Sequence, residues 1–394
     1  MFDDVWSRPR MRRAAGVFVL VVVGALFWVF RSGVMWGNPD IAVEDAVRGR
    51  FTMKHTLATM VTATVGWLFK TVGIQDPGPN AVAATSVLAG LLYIWGAFSL
   101  GSALFTSSIV KARVIAWVLT TAGLMQEYFG VLEVYPLSNT AQIWVLVWMA
   151  RLARPAAEGG CDSPTPILVT TSLCTATFVA TVFLWPAVLF AILRERARGV
   201  VPPLRRVGIP VLAAILPIAA VIGVLHLFAV TKWGYGWPIM FKTFGGNDDS
   251  AWVPLTRSDQ DTSHFTLFSW EHASARFNAA CLAMPAWIPV CIAAMVCWKR
   301  KPLDTVAQRS LPVLGLAALS ALSFGILVHP DLGPILDWMQ TTAGMFAPLV
   351  FLMTWTLART TDQTAARLGT LWVVVSVLHT FPWVVTNSTF AGVR

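Results

Sequence analysis

Residues 81–104 read AVAATSVLAGLLYIWGAFSLGSAL, a run without any Asp, Glu, Lys or Arg. Roughly 20 apolar residues are enough for a helix to cross the hydrocarbon core of a bilayer. The run is too long and too uniformly apolar for the alternating strands of a membrane barrel. It therefore predicts a transmembrane helix. Similar runs lie near 14–30, 112–127, 137–151, 207–230, 278–298, 310–328, 344–358 and 369–387.

The composition agrees with this interpretation. Of the 394 residues, 56% are hydrophobic and only 12% are charged, and the mean hydropathy is +0.65. Soluble domains carry about 25% charged residues. The sequence thus excludes a soluble enzyme, a disordered chain and a nucleic-acid-binding module. It predicts an all-α integral membrane protein with about 9–11 transmembrane helices.

Basic residues along the chain predict its orientation. With the N-terminus in the cytoplasm, the inner segments hold 19 of the 29 Lys and Arg residues but only seven of the twenty acids. Cytoplasmic loops are enriched in Lys and Arg, so this sorting predicts a multi-pass protein of the bacterial inner membrane. We expect a single polytopic domain over 1–394. Its extracytoplasmic loops are expected at about 31–80, 127–136, 231–277 and 329–343.

Two apolar stretches do not fit as simple spans. Residues 165–193 have basic segments at both ends, which favours a hairpin of two half-length helices over one long tilted span. Residues 52–74 would invert everything after them if they crossed the membrane. We therefore expect an interfacial helix there, on the outer membrane face.

The first outer loop carries an acidic cluster followed by a basic one. Asp40, Glu44 and Asp45 lie within six positions, and Arg48 and Arg50 come directly after them. A carboxylate could take a proton from an acceptor while the cations hold a phosphate leaving group. The alternative is a solvated loop whose charges only keep it out of the lipid.

Two glutamates lie at the membrane boundary. Glu127 and Glu133 flank Gly130, so a chain reversal there would let both side chains enter one cavity. Ionisable groups beside apolar spans are costly and often functional. The alternative is a pair of hydrogen-bonded helix-end glutamates.

Two later segments carry further candidates. If 270–278 is helical, His272 and Arg276 share a face and form a cationic pair suited to a phosphate. The alternative is a capping and anchoring role, with Trp270 at headgroup level. In 329–339, His329 and Asp331 lie in a proline-rich turn between two apolar runs.

Three stretches together resemble a known family. EYFGVLEVYP at 127–136 resembles the FGxxExYP signature of bacterial multi-span proteins related to C-type, lipid-sugar-dependent glycosyltransferases. FSWEHASARFN at 268–278 and HPDLGPILDWM at 329–339 are similar to further parts of the same group. The resemblance implies a fold with a long first outer loop containing interfacial helices, and a polyprenyl-phosphate-linked sugar donor.

The resemblance also implies roles for the residues. Asp40 is expected to be the general base of an inverting displacement, with Glu44 or Asp45 as substitutes. No cofactor is required, although a divalent metal ion near the acids is compatible with these residues. The residues expected to hold the donor phosphate are Arg48, Arg50, His272 and Arg276. The other expected substrate-binding residues are Glu127, Glu133, Tyr135, His329 and Asp331.

Three functions remain open at this point. The first is an integral membrane glycosyltransferase with membrane lipids and a polyprenyl-phosphate lipid as its partners. The second is a non-catalytic subunit of a larger membrane complex, derived from the same fold and bound to partner membrane proteins. The third is a transporter, which predicts polar residues at mid-membrane depth on a path to both faces.

Overall fold

The computed structural model describes residues 9–31, 39–49, 55–154, 159–200, 266–327 and 338–389, with isolated positions between 208 and 255. The regular elements in these ranges are helices, as predicted. The first six are α1 (Pro9–Val29), α2 (Pro39–Arg48), α3 (Thr56–Thr71), α4 (Pro77–Leu104), α5 (Ile109–Thr121) and α6 (Tyr135–Leu152). The others are α7 (Thr165–Thr177), α8 (Trp185–Ala197), α9 (Trp270–Ala283), α10 (Trp287–Val296), α11 (Thr305–Leu327), α12 (Trp338–Leu357) and α13 (Asp362–Thr389). Short 3₁₀ helices cover Gly123–Tyr128 and Val179–Leu184.

Helix α4 is the centre of the N-terminal half. It contacts α1, α2, α3, α5 and α6. Small residues permit these approaches, since Gly96 lies against Ile143 of α6 and Gly101 lies against the backbone of Ala112 in α5. Close packing through small residues is how membrane helices associate without a hydrophobic driving force between them.

Three of the described helices are long and apolar enough to cross a membrane: Pro77–Leu104, Ala307–Leu327 and Asp362–Thr389. A fourth crossing results if α9 and α10 are one broken span. The predicted span at 207–230 lies almost entirely outside the described residues. The chain is thus a multi-pass helical membrane protein.

The predicted inner segments meet at one end of the bundle. Ser108 Oγ donates a 2.7 Å hydrogen bond to the carboxylate of Asp362, and Arg194 Nη1 donates a 2.6 Å bond to the carbonyl of Arg309. We call this the basic end and the other the opposite end. Ser107 Oγ also donates a 3.0 Å bond to the carboxylate of Asp304. Together these contacts join four segments that the charge distribution predicts to share a side: 105–113, 194–206, 299–309 and 359–367.

The stretch 165–193 forms the predicted hairpin. Near its start, the N–H of Cys161 donates to the carbonyl of Arg151 at the C-terminal end of α6. Its second helix ends at the basic end, where Arg194 donates to the carbonyl of Arg309. Between the two helices, Phe178 has an extended backbone and stacks on His55 of the first outer loop. The chain therefore enters and returns on the same side, which excludes one continuous tilted span.

The predicted span at 278–298 is not one continuous helix. Helices α9 and α10 meet at an angle of 97° across the break at Met284. Pro285 lies in this break, and a proline disfavours the helical conformation in the residue before it. The sequence showed the proline, but the direction of the bend depends on tertiary packing.

Candidate functional site

The described part of the predicted first outer loop packs back onto the start of α4. Gly66 of α3 lies against the backbone of Ala46 in α2, and Gly78 of α4 lies against Val43. The predicted interfacial helix is α3, whose 16 residues are fewer than a membrane crossing needs. A small cluster of buried residues links this loop to the segment 127–136: Ala42, Ala46, Ala58, Val82 and Val134.

The acids of α2 have different environments. Glu44 pairs with Arg48 one turn later, with 2.6 Å between their charged atoms, and both side chains are partly exposed. Asp45 is buried, with 6% of its surface accessible. Asp40 lies in the first turn of α2, but its side chain is outside the described part of the structure. Of the first-loop cations, Arg48 is thus held by Glu44, and Arg50 lies outside the described residues.

Glu127 is the most deeply buried acid of the predicted set. It belongs to the first 3₁₀ helix and has no accessible surface. Asn139 Nδ2 of α6 donates to Glu127 Oε2 at 2.7 Å, and Gln142 Nε2 donates to Asn139 Oδ1 at 3.1 Å. This chain of hydrogen bonds fixes the 3₁₀ helix to α6. Sequence reasoning missed both amides, although they stand out three residues apart in the apolar run 137–151.

Replacing Asn139 by Leu is expected to lower the free energy of unfolding by about 3 kcal/mol, because a buried carboxylate loses a donor. Thermal unfolding in detergent would measure the change. Replacing Glu127 and Asn139 together by Leu removes both polar partners and should restore part of the stability. A double variant as unstable as the sum of its two single variants would contradict this assignment.

Tyr128 lies beside the hydrogen-bonded group of Glu127, Asn139 and Gln142, and it contacts Thr140 of α6. Thr140 Oγ1 donates to the carbonyl of Ala89 at 2.9 Å and lies 3.3 Å from Tyr128 Oη. Burial raises the pKa of Tyr128 well above its ordinary value, and the neighbouring Tyr93 and the Glu127 carboxylate raise it further. The phenol therefore stays protonated and remains a hydrogen-bond donor.

The predicted reversal at Gly130 is confirmed. Its φ of +64° is in the left-handed region, and a Cβ there would fall 2.7 Å from the Cβ of Arg31. Both the backbone and the space therefore favour glycine. Beyond the turn, Glu133 is buried and its Oε2 accepts a 3.3 Å bond from the N–H of Val134.

Tyr135 joins an aromatic cluster that the sequence did not reveal. The His55 ring stacks on Phe178 with 4.7 Å between centroids, and the Tyr135 ring packs edge-on against His55 at 5.0 Å. The three residues come from the first loop, from the break in the hairpin and from the start of α6. No local pattern could have found this cluster, because it depends on long-range packing.

Helix α9 presents the predicted pair on its buried face. His272 and Arg276 have accessible fractions of 3% and 6%. Ser269 caps the helix by accepting from the N–H of His272 at 3.2 Å. Phe268 and Trp270 are 85% and 80% exposed, as expected for aromatic anchors at headgroup level. The anchoring role and the cationic pair are thus compatible on one helix.

Part of the predicted site is not described. His329 and Asp331 lie outside the described residues. Among the residues that are described, no three His, Cys, Asp or Glu side chains are grouped so that they could hold a metal ion. The described part of the site is therefore a set of buried polar and aromatic contacts between the first loop, the 127–136 segment and the hairpin.

No family model and no curated protein matches this sequence. Among solved structures, ArnT from Cupriavidus metallidurans bound to undecaprenyl phosphate has a TM-score of 0.58 at 13% identity. The match covers 92% of this chain and 62% of the ArnT chain. The apo state of that ArnT has a TM-score of 0.55 at 15% identity, over 91% and 62% of the two chains. ArnT has the C-type glycosyltransferase fold.

This chain has the C-type glycosyltransferase fold. The likeness covers nearly the whole chain. The Archaeoglobus fulgidus oligosaccharyltransferase tethered to an acceptor peptide also matches, with a TM-score of 0.45 at 12% identity, over 96% of this chain and 56% of that one. The chain spans 62% of the length of ArnT, and the C-type fold alone does not fix its activity.

Proposed function

We propose that the chain is an integral membrane glycosyltransferase that uses a polyprenyl-phosphate-linked sugar donor. The observation that carries the proposal is the fold likeness to ArnT, which was solved with undecaprenyl phosphate bound. The sorting of Lys and Arg favours an inner-membrane location with the site on the extracytoplasmic face. The sugar and the acceptor are left open.

In the proposed reaction, an acceptor hydroxyl attacks the anomeric carbon of the donor sugar. The bond between that carbon and the phosphate oxygen breaks, and polyprenyl phosphate leaves with the bonding electrons. Asp40 takes the proton of the attacking hydroxyl. A single displacement inverts the anomeric centre, and it needs no covalent intermediate.

Cationic side chains support the phosphate part of this proposal. Arg276 and His272 lie on one buried face of α9, where a charge interacts more strongly with a phosphate than it would in water. Arg48 is less suited to this role because its side chain is exposed, and solvent weakens the contact of an exposed charge with a phosphate. We therefore assign Arg276 the main contact with the leaving phosphate.

The buried polar residues support a positioning role. Glu127 has no accessible surface and is bonded to Asn139. It would hold the 3₁₀ helix in place beneath the substrate rather than touch the reacting atoms. Tyr135, half-buried against His55, is better placed to contact a sugar, since aromatic rings pack well against apolar sugar faces.

Mass spectrometry of the lipids that co-purify in mild detergent tests the proposal. We expect polyprenyl phosphate on the wild-type protein and a loss of about tenfold in Arg276→Gln, because a charge-assisted contact disappears. Arg113→Gln is the matched control, since Arg113 is exposed on α5 near the basic end. Partner proteins in stoichiometric amounts, without such a lipid, would instead indicate a non-catalytic subunit.

A further inference from the structure

A second polar site lies at the basic end, away from the site discussed above. A cavity of about 380 Å³ opens where the ends of α6 and α8 meet the first turns of α11. Its volume is within the range of small-ligand sites. The cavity is lined by Ala153, Arg154, Glu195, Arg198, Val200 and Arg309.

Positive charge exceeds negative charge around this cavity. Among the described residues, three arginines and one acid, Glu195, line it, and Arg194 lies 3.7 Å from the Glu195 carboxylate. Burial lowers the pKa of Arg194, and the charge of Arg198 lowers it further, while Glu195 acts in the opposite direction and Arg309 adds to the lowering. Two cationic neighbours thus oppose one carboxylate around Arg194.

Arg154 and Arg198 of the cavity lining, and the neighbouring Arg194, are held in place by hydrogen bonds. Arg198 Nη1 donates to Glu195 Oε1 at 3.0 Å, and Glu195 is only 3% exposed. Arg194 Nη1 donates to the carbonyl of Arg309, and Arg154 Nη1 donates at 3.3 Å to the carbonyl of Ser102. A guanidinium has several N–H donors in a rigid fork, so Arg198 can hold Glu195 through one of them and a ligand through others.

We propose that this arginine-lined cavity binds a phosphate group. Guanidinium forks match the oxygens of a phosphate, and basic pockets between transmembrane helices bind anionic headgroups. Exposed apolar residues of α8, Leu189, Phe190 and Leu193, lie one to three turns before the cavity and face away from the protein core. They offer acyl chains a surface, so an anionic phospholipid is one source of the phosphate and a soluble phosphate is the other. The proposal does not depend on the proposed glycosyltransferase activity.

Native mass spectrometry of the delipidated full chain, titrated with phosphatidylglycerol or phosphatidylcholine, tests the lipid source. Wild type should bind phosphatidylglycerol at least about tenfold more tightly than phosphatidylcholine, and Arg198→Gln with Arg309→Gln should lose that preference. The matched control is Arg113→Gln with Arg367→Gln, which removes two exposed arginines away from the cavity lining. The control should stay within about twofold of wild type.

A second arm titrates inorganic phosphate against chloride at equal ionic strength and follows thermal unfolding. Stabilisation by phosphate that depends on the cavity arginines, without a lipid preference, would assign a soluble ligand to the same site. Equal binding of both lipids together with no phosphate effect would overturn the proposal. So would an equal loss in the cavity and control variants. Arg309→Gln alone leaves the Glu195 contacts intact, so it serves if the double variant does not fold.

Discussion

Asp40→Asn is expected to reduce sugar transfer by about 10²- to 10⁴-fold, the usual contribution of a general base. The amide has nearly the same shape as the carboxylate but cannot accept the proton of the acceptor. Donor retention should stay close to that of wild type, because Asp40 is not assigned to the phosphate. Release of polyprenyl phosphate from a panel of polyprenyl-phosphate-linked sugars measures the rate, and mass spectrometry measures the retained donor.

Asp76→Asn provides the matched control. Asp76 is an exposed acid of the same outer loop, directly before α4, with a φ of +47°. Asparagine adopts this left-handed conformation as readily as aspartate does. The control should keep full activity. Transfer by Asp40→Asn within about threefold of wild type would exclude Asp40 as the base, and would move the assignment to Glu44 or Asp45.

Gly123→Ala is expected to destabilise the protein by about 3 kcal/mol or more. A Cβ at Gly123 would fall 2.9 Å from the carbonyl carbon of Leu282 and 3.1 Å from the carbonyl oxygen of Ala283, and closer still to the Leu282 oxygen. These are backbone atoms of α9, so no side-chain rotation can relieve the contact. The 3₁₀ helix and α9 would have to separate, which size-exclusion and thermal unfolding in detergent would detect.

Gly315→Ala is the same substitution at another position, but it is expected to raise the stability of the protein. Gly315 lies inside α11, and its added Cβ would meet only the Phe351 ring, at 3.4 Å or more. An alanine in a helix interior stabilises by about 0.5–1 kcal/mol relative to glycine. A similar loss of stability in both variants would mean that the effect at Gly123 is not caused by the close approach of α9.

The sequence predicted what depends on local pattern. Apolar run lengths predicted the helices, the spacing of His272 and Arg276 placed them on one face, and Gly130 marked a reversal. The distribution of basic residues favoured the hairpin at 165–193 over one tilted span, because each crossing of the membrane changes the side on which the next segment lies. In each case the physical cause either acts between residues close in sequence or sets the side of the membrane on which a loop lies.

Predictions were weaker where distant segments meet. The stacking of Phe178 on His55 joins residues more than a hundred positions apart, and nothing in the local sequence of either residue predicts the contact. The bend after α9 also follows from packing, since Pro285 alone fixes where the helix stops and not where the chain goes next.

The hairpin of α7 and α8 has a consequence for how this protein can evolve. Because the chain enters and leaves the hairpin at the same end, the hairpin can be lengthened, shortened or exchanged without inverting the membrane topology of the segments that follow it. The element that carries Phe178 to His55 is therefore open to variation, while the first loop and the 127–136 segment keep their compartment. A family built this way could acquire new selectivity by replacing one insert and conserving the frame around it.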